Sequence, residues 1–111
     1  MTQRLLADDV TRLPLDHEPL PGDEVEDGSP TAAVRTLDTL GGVEVGVWEM
    51  TVGTARDTEV DEVFVVVAGS GTVEFEDGER LRLGPGTVVR LRAGDRTRWL
   101  VDEPLRKVWV A

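Results

Sequence analysis

The sequence predicts an all-β fold, one small barrel over residues 31–111 preceded by an acidic, Pro-rich N-terminal arm over residues 1–30. Three observations predict it. From Thr31 onward, short apolar or alternating runs rich in Val, Thr and Trp are separated by glycine and proline turns. No stretch sustains a helical period, because Gly41, Gly42, Gly46, Gly53, Gly69, Gly71, Gly78, Gly84, Gly86 and Gly94 punctuate the chain. The first thirty residues carry eight carboxylates, two arginines and the prolines Pro14, Pro19, Pro21 and Pro30, with little apolar periodicity.

In the arm, helix amounts to a turn at most. Leu5, Leu6, Val10, Leu13 and Leu15 are expected to anchor the segment before Asp16 across the barrel or a neighbouring subunit. Asp16 to Ser29 has the composition of a flexible stretch, too polar to offset its chain entropy by burial. The barrel reads as about eight strands, near 33–37, 43–52, 62–68, 71–76, 79–83, 87–92, 96–101 and 105–110. Around Asp77-Gly78, Val73, Phe75, Leu81 and Leu83 must share the buried face and Glu74, Glu76, Arg80 and Arg82 the wet one. Directly opposed residues lie on one face, so this parity requires an odd loop. Glu76-Asp77-Gly78, with glycine in the left-handed position, fits the three-residue type and sets Glu74 opposite Arg80. The unbroken apolar run Phe64-Val65-Val66-Val67-Ala68 calls for cover on both faces, where two sheets or two subunits meet.

Composition narrows the function. A chain of 111 residues with 40% hydrophobic content makes one domain with one modest core. A net charge of −10 opposes nucleic acid and anionic membranes as partners. The absence of cysteine excludes disulfides and zinc-thiolate sites. The N-terminus MTQRLLADDV lacks an apolar leader core, so a cytoplasmic location is expected. No Cys-His or Ser-His pair exists in the barrel for nucleophilic catalysis. Gly84-Pro85-Gly86 is followed by no helix, so it is a turn and not a phosphate cradle.

Three segments carry a family resemblance: Gly46-Val47-Trp48-Glu49 followed by Gly53, then Asp61-Glu62-Val63 through Ser70-Gly71, then Gly84-Pro85-Gly86-Thr87 through Ala93-Gly94. The tail Trp99 to Lys107 extends it. In this order and spacing the chain resembles the cupin superfamily, and more closely the short cupins of the ethanolamine-utilisation and (S)-ureidoglycine aminohydrolase-like group. The resemblance implies a cupin-type double-stranded β-helix, a jelly-roll barrel. It specifies fold more than activity, because this architecture hosts many functions.

In metal-binding cupins the first motif supplies two histidines and a glutamate, and the second supplies a further histidine. Here the resemblance places the glutamate at Glu62, the first two positions at Arg56 and Thr58 (or Ala55 and Asp57 with longer spacing), and the third at Thr97. None offers an imidazole, and the lone histidine, His17, lies in the arm. The expected chain therefore has no transition-metal site and no cofactor. A hard divalent ion held by Glu62 with Asp57, Glu59 or Asp61 is the weaker alternative.

What remains is a pocket with Trp48, Arg56, Thr58, Glu62, Thr97 and Trp99 as candidate lining, although tryptophans also serve as core fillers. Glu62, at the head of an apolar strand, needs a partner if buried. The favoured reading is a small-molecule-binding cupin that takes a polar or anionic metabolite. An enzyme acting on an ureide or carboxylate, with Glu62 as acid or base and Arg56 orienting the substrate, is the second reading. A structural dimerisation module is the third, and a homodimer is expected in any case.

Overall fold

The computed structural model describes residues 3–111. Among these residues the chain forms a single 3₁₀ turn, η1 (Val10–Arg12), and nine strands: β1 (Glu18–Pro19), β2 (Val25–Asp27), β3 (Thr31–Leu40), β4 (Val43–Met50), β5 (Gly53–Thr58), β6 (Glu62–Phe75), β7 (Arg80–Leu83), β8 (Val88–Leu91) and β9 (Arg96–Val110). The all-β cupin-type barrel expected from the sequence is the fold observed. Every strand pairing is antiparallel.

Two long strands organise the barrel. β9 pairs along one edge with β6, and along its other edge first with β5 and then with β4; β6 in turn takes β8 at its start and β7 at its end. The sheet therefore curls around β6 and β9 and encloses Met50, Ala55, Phe64, Val66, Val73, Leu83, Leu91, Trp99, Val101 and Leu105.

The runs 62–68 and 71–76, expected as separate strands, are one strand, and so are 96–101 and 105–110. The punctuation at Gly69, Gly71 and Pro104 bends these strands without ending them. The β6–β9 register shifts between Val66 and Gly71. Gly69 there has φ +85°, and a Cβ on it would lie 1.9 Å from the Pro104 carbonyl oxygen. Only glycine fits such a bulge. β5 was hidden by its polar residues, since Ala55 is its one small inward apolar side chain.

Residues 16–29, read as flexible, instead form β1 against the start of β3 and β2 against β5. Backbone hydrogen bonding to existing strand edges supplies what apolar burial there does not. His17 fastens this stretch through Nδ1 to Thr31 Oγ1 at 2.9 Å and Nε2 to Glu49 Oε1 at 2.7 Å. Further upstream, Arg106 Nη1 donates to the carbonyls of Val10 and Leu13 at 2.9 and 2.8 Å.

The Glu76–Gly78 hairpin has the expected geometry. Glu74 faces Arg80 and Val73 faces Leu81, the Gly78 amide donates to the Phe75 carbonyl, and Gly78 has φ +97°. An Arg80–Glu74 ion pair at 3.0 Å spans the strands. In β6, Phe64 and Val66 point into the core, Val65 and Val67 are half-buried on the outer face, and Val63 just before the run is exposed there.

Candidate functional site

Alternation along β9 sorts two adjacent cations onto opposite faces. Arg106 lies opposite Glu49 and Lys107 opposite Trp48. Arg106 turns outward, where its Nε donates to Glu49 Oε2 at 2.7 Å. Burial works against the ionised form of Glu49, but the hydrogen bonds from Arg106 and His17 outweigh it and hold its pKa below the usual carboxylate range. Lys107 turns inward with Leu105 and Trp109, into the barrel.

There the Lys107 ammonium meets Glu62, with Nζ 2.7 Å from Oε2 and both side chains almost wholly buried. Three rings surround it: Nζ lies 4.3 Å from the Phe64 centroid and 4.8 Å from those of Trp48 and Trp99. Trp48 and Trp99 are themselves tilted together at 5.3 Å. The ion pair thus has both a carboxylate and aromatic faces to replace the water the ammonium has lost.

Beside it lies Glu59, also buried. The Thr97 hydroxyl donates to Glu59 Oε2 at 2.6 Å, and Trp99 Nε1 donates to the same oxygen at 3.0 Å. The Glu59 backbone is clamped to the turn before β9, its amide to the Asp95 carbonyl and its carbonyl to the Gly94 amide. Asp57 stands next to Glu59 at the rim; burial and then the Glu59 charge push its carboxyl up to about 6. Trp48, Glu59, Glu62, Trp99, Lys107 and Trp109 line a cavity of about 350 Å³, with Val34 and Glu44 at its mouth. Gly46 makes room for the Trp109 indole in this wall, because a Cβ there would lie 2.3 Å from Trp109 Cζ2.

Of the residues singled out from sequence, the structure brings Trp48, Glu62 and Trp99 into this cavity, while Thr97, bonded to the cavity's Glu59, lines the neighbouring cleft. It does not bring in Arg56 and Thr58. These alternate outward on β5, and with Asp23, Glu24, Arg96 and Arg98 they line a separate cleft of about 420 Å³. Arg56 there donates to the Asp23 carbonyl at 2.7 Å. Sequence reasoning passed over Lys107 and gave Glu59 no role in the pocket. Strand parity held the signal for the first, since Leu105, Lys107 and Trp109 fall on one face.

The donor set does not fit the transition metal that the fold implies. Glu62 is committed to Lys107, Arg56 and Thr58 face away, and Thr97 is bonded to Glu59. For the hard-ion alternative, Glu62 is likewise committed to Lys107, and Glu59, bonded through Oε2 to Thr97 and Trp99, keeps only Oε1 free among the described residues. Asp61 is exposed and bonded to the Ala93 amide and Arg90, which lower its pKa. Among the described residues no group of three or more His, Cys, Asp or Glu is arranged to hold a metal ion. No helix among them is long and apolar enough to cross a membrane.

Known structures share this architecture. The EutQ protein of Clostridium difficile superposes with a TM-score of 0.63 at 21% identity over 73% of this chain, which spans 61% of that protein's length. A putative ethanolamine utilization protein EutQ from Salmonella typhimurium gives a TM-score of 0.65 at 18% identity, covering 88% of this chain and 94% of that one. Ectoine synthase from P. lautus gives 0.61 at 20% identity, covering 79% and 67%. At these identities the likeness is one of fold. No curated protein sequence matches the chain. The family model of the EutQ-like cupin domain matches residues 37–109, about two thirds of the sequence, from mid-β3 to Trp109 in β9, so this chain belongs to the EutQ-like cupin family.

Proposed function

We propose that this chain is a cupin that binds a small polar metabolite in the barrel cavity, with the Lys107 ammonium in place of a transition metal as the cavity's fixed cation. The observation that carries this reading is the Lys107–Glu62 pair, 2.7 Å apart and ringed by Phe64, Trp48 and Trp99 against an open space of about 350 Å³. A buried ion pair is a weak stability device compared with apolar packing. One left facing a cavity is a preorganised polar contact on an aromatic wall, the composition of small-molecule sites. The anionic form of the expected ligand is disfavoured, because Asp57, Glu59 and Glu62 line the same space.

The test is elemental analysis of the purified protein followed by a thermal-shift screen of small polar solutes, with and without manganese. Substoichiometric transition metal and a solute whose stabilisation vanishes in Trp48→Ala are expected. Stoichiometric transition metal would overturn the reading. The second reading, an enzyme, draws on the same pair: a carboxylate and an ammonium in contact can pass a proton at Glu62 Oε2, and the barrel is shared with enzymes such as ectoine synthase. Turnover of a bound solute, lost in Glu62→Gln with binding retained, would separate the two.

A further inference from the structure

Resting on that cavity reading, we infer that the ligand is a small organic cation, an alkylammonium group whose charge sits against Glu59 and Asp57 and whose carbon body lies along Trp48 and Trp109. The charge balance of the cavity points there. Lys107 is its only cationic side chain, and Glu62 neutralises it. Glu59 and Asp57 then remain with no cationic side chain among the cavity's lining, and Glu44 at the mouth adds a third carboxylate.

Glu59 is more than nine-tenths buried, yet both of its side-chain hydrogen bonds fall on Oε2. Oε1 has no hydrogen-bond partner among the described residues, and it is not sealed among protein atoms, since no buried side-chain oxygen or nitrogen there is left unbonded. It therefore opens to the cavity. A carboxylate so deeply placed, with its backbone clamped and one oxygen free, is costly unless something of opposite charge answers it. Burial raises the pKa of Asp57 first, and the neighbouring Glu59 charge adds to that rise.

The aromatic walls select the kind of cation. Indole faces attract organic ammonium groups and contribute nothing as ligands to a hard metal ion. The molecule already does this once: its own Lys107 ammonium sits 4.8 Å from the Trp48 and Trp99 centroids. Trp109, whose ring packs over Gly46 in the same lining, offers a further indole. A guest ammonium would reproduce the same carboxylate-and-indole environment one step nearer the mouth.

Isothermal titration of the full chain at neutral pH with choline and butylammonium chlorides, 3,3-dimethyl-1-butanol as the neutral isostere of choline, and sodium acetate tests this. Choline and butylammonium are expected to bind, and the isostere and acetate at least tenfold more weakly. Glu59→Gln should weaken choline at least tenfold. Asp57→Asn, at the rim and with a side chain that takes no part in the Thr97 and Trp99 bonds, should weaken it several-fold and serves if the first variant does not fold. Binding of acetate or of the isostere as tightly as choline overturns the cation assignment and leaves the cavity reading standing. Binding of none of these solutes, together with no stabilising solute in the polar screen, overturns both.

Discussion

Lys107 and Glu62 form a buried ion pair inside the barrel, Nζ to Oε2 at 2.7 Å, across strands that lie side by side. The surviving motif glutamate is therefore answered from within the chain. Lys107→Met leaves Glu62 buried and unpaired and is expected to cost about 3–5 kcal/mol. Lys107→Met with Glu62→Gln should recover most of that loss, because no bare charge remains. Chemical denaturation of the two singles and the double checks this; additive losses would contradict it.

Asp57 gives the fold a pH dependence of defined sign. Its carboxyl, at about 6 when folded against an ordinary 3.8, keeps a proton that the unfolded chain releases. The contribution of Asp57 to stability is therefore greatest at low pH within this window and falls as pH rises from about 4 to about 6. The melting temperature of the wild type relative to Asp57→Asn should decline across that range and level off above it.

The arm is held by a small number of directed bonds. Arg106 joins Glu49 to the carbonyls of Val10 and Leu13, and His17 joins Glu49 to Thr31. Arg106→Ala should cost about 3 kcal/mol, since it leaves a half-buried carboxylate with His17 as its one partner among the described residues and takes the donor from two carbonyls. Trypsin should then cut at Arg12 markedly faster. Unchanged cleavage would show that the arm is held by other contacts.

Two glycines separate backbone requirement from sequence habit. Gly69→Ala puts a methyl 1.9 Å from the Pro104 oxygen at φ +85°, and it should cost more than about 4 kcal/mol or prevent folding. Gly84→Ala meets nothing within 4 Å and should stay within about 0.5 kcal/mol of wild type. Urea melts of the two distinguish them.

The outer face of the β6–β9–β8 region presents Val63, Val88 and Val110 to solvent, 44, 65 and 39% exposed. A homodimer that covers this face is the expected state. Light scattering should give twice the chain mass for the wild type and the monomer mass for Val63→Glu. A monomeric wild type would refute it.

Much of the barrel was legible because strand chemistry is local. The hairpin at Glu76–Gly78 followed from parity alone, whereas of the residues expected to line one pocket, Trp48, Glu62 and Trp99 share the cavity and Arg56, Thr58 and Thr97 line another cleft. β1 and β2 were not legible, since they are held by the hydrogen-bonding edges of β3 and β5 and not by an apolar pattern of their own. The merging of four runs into β6 and β9 was likewise hidden. A glycine or a proline in isolation reads as an end, and only the facing strand shows it to be a bulge.

The sequence by itself determined that this is an acidic β barrel whose motif keeps a glutamate and no imidazole, because composition, parity and missing histidines need no partner to be seen. What answers that glutamate was decided by tertiary structure. Lys107 lies 45 positions away along the chain, and the pairing of β9 with β6 alone brings the two charges together among Phe64, Trp48 and Trp99. A buried charge must be compensated by whatever the fold delivers to it, and that delivery is a property of register, which no local stretch of sequence contains.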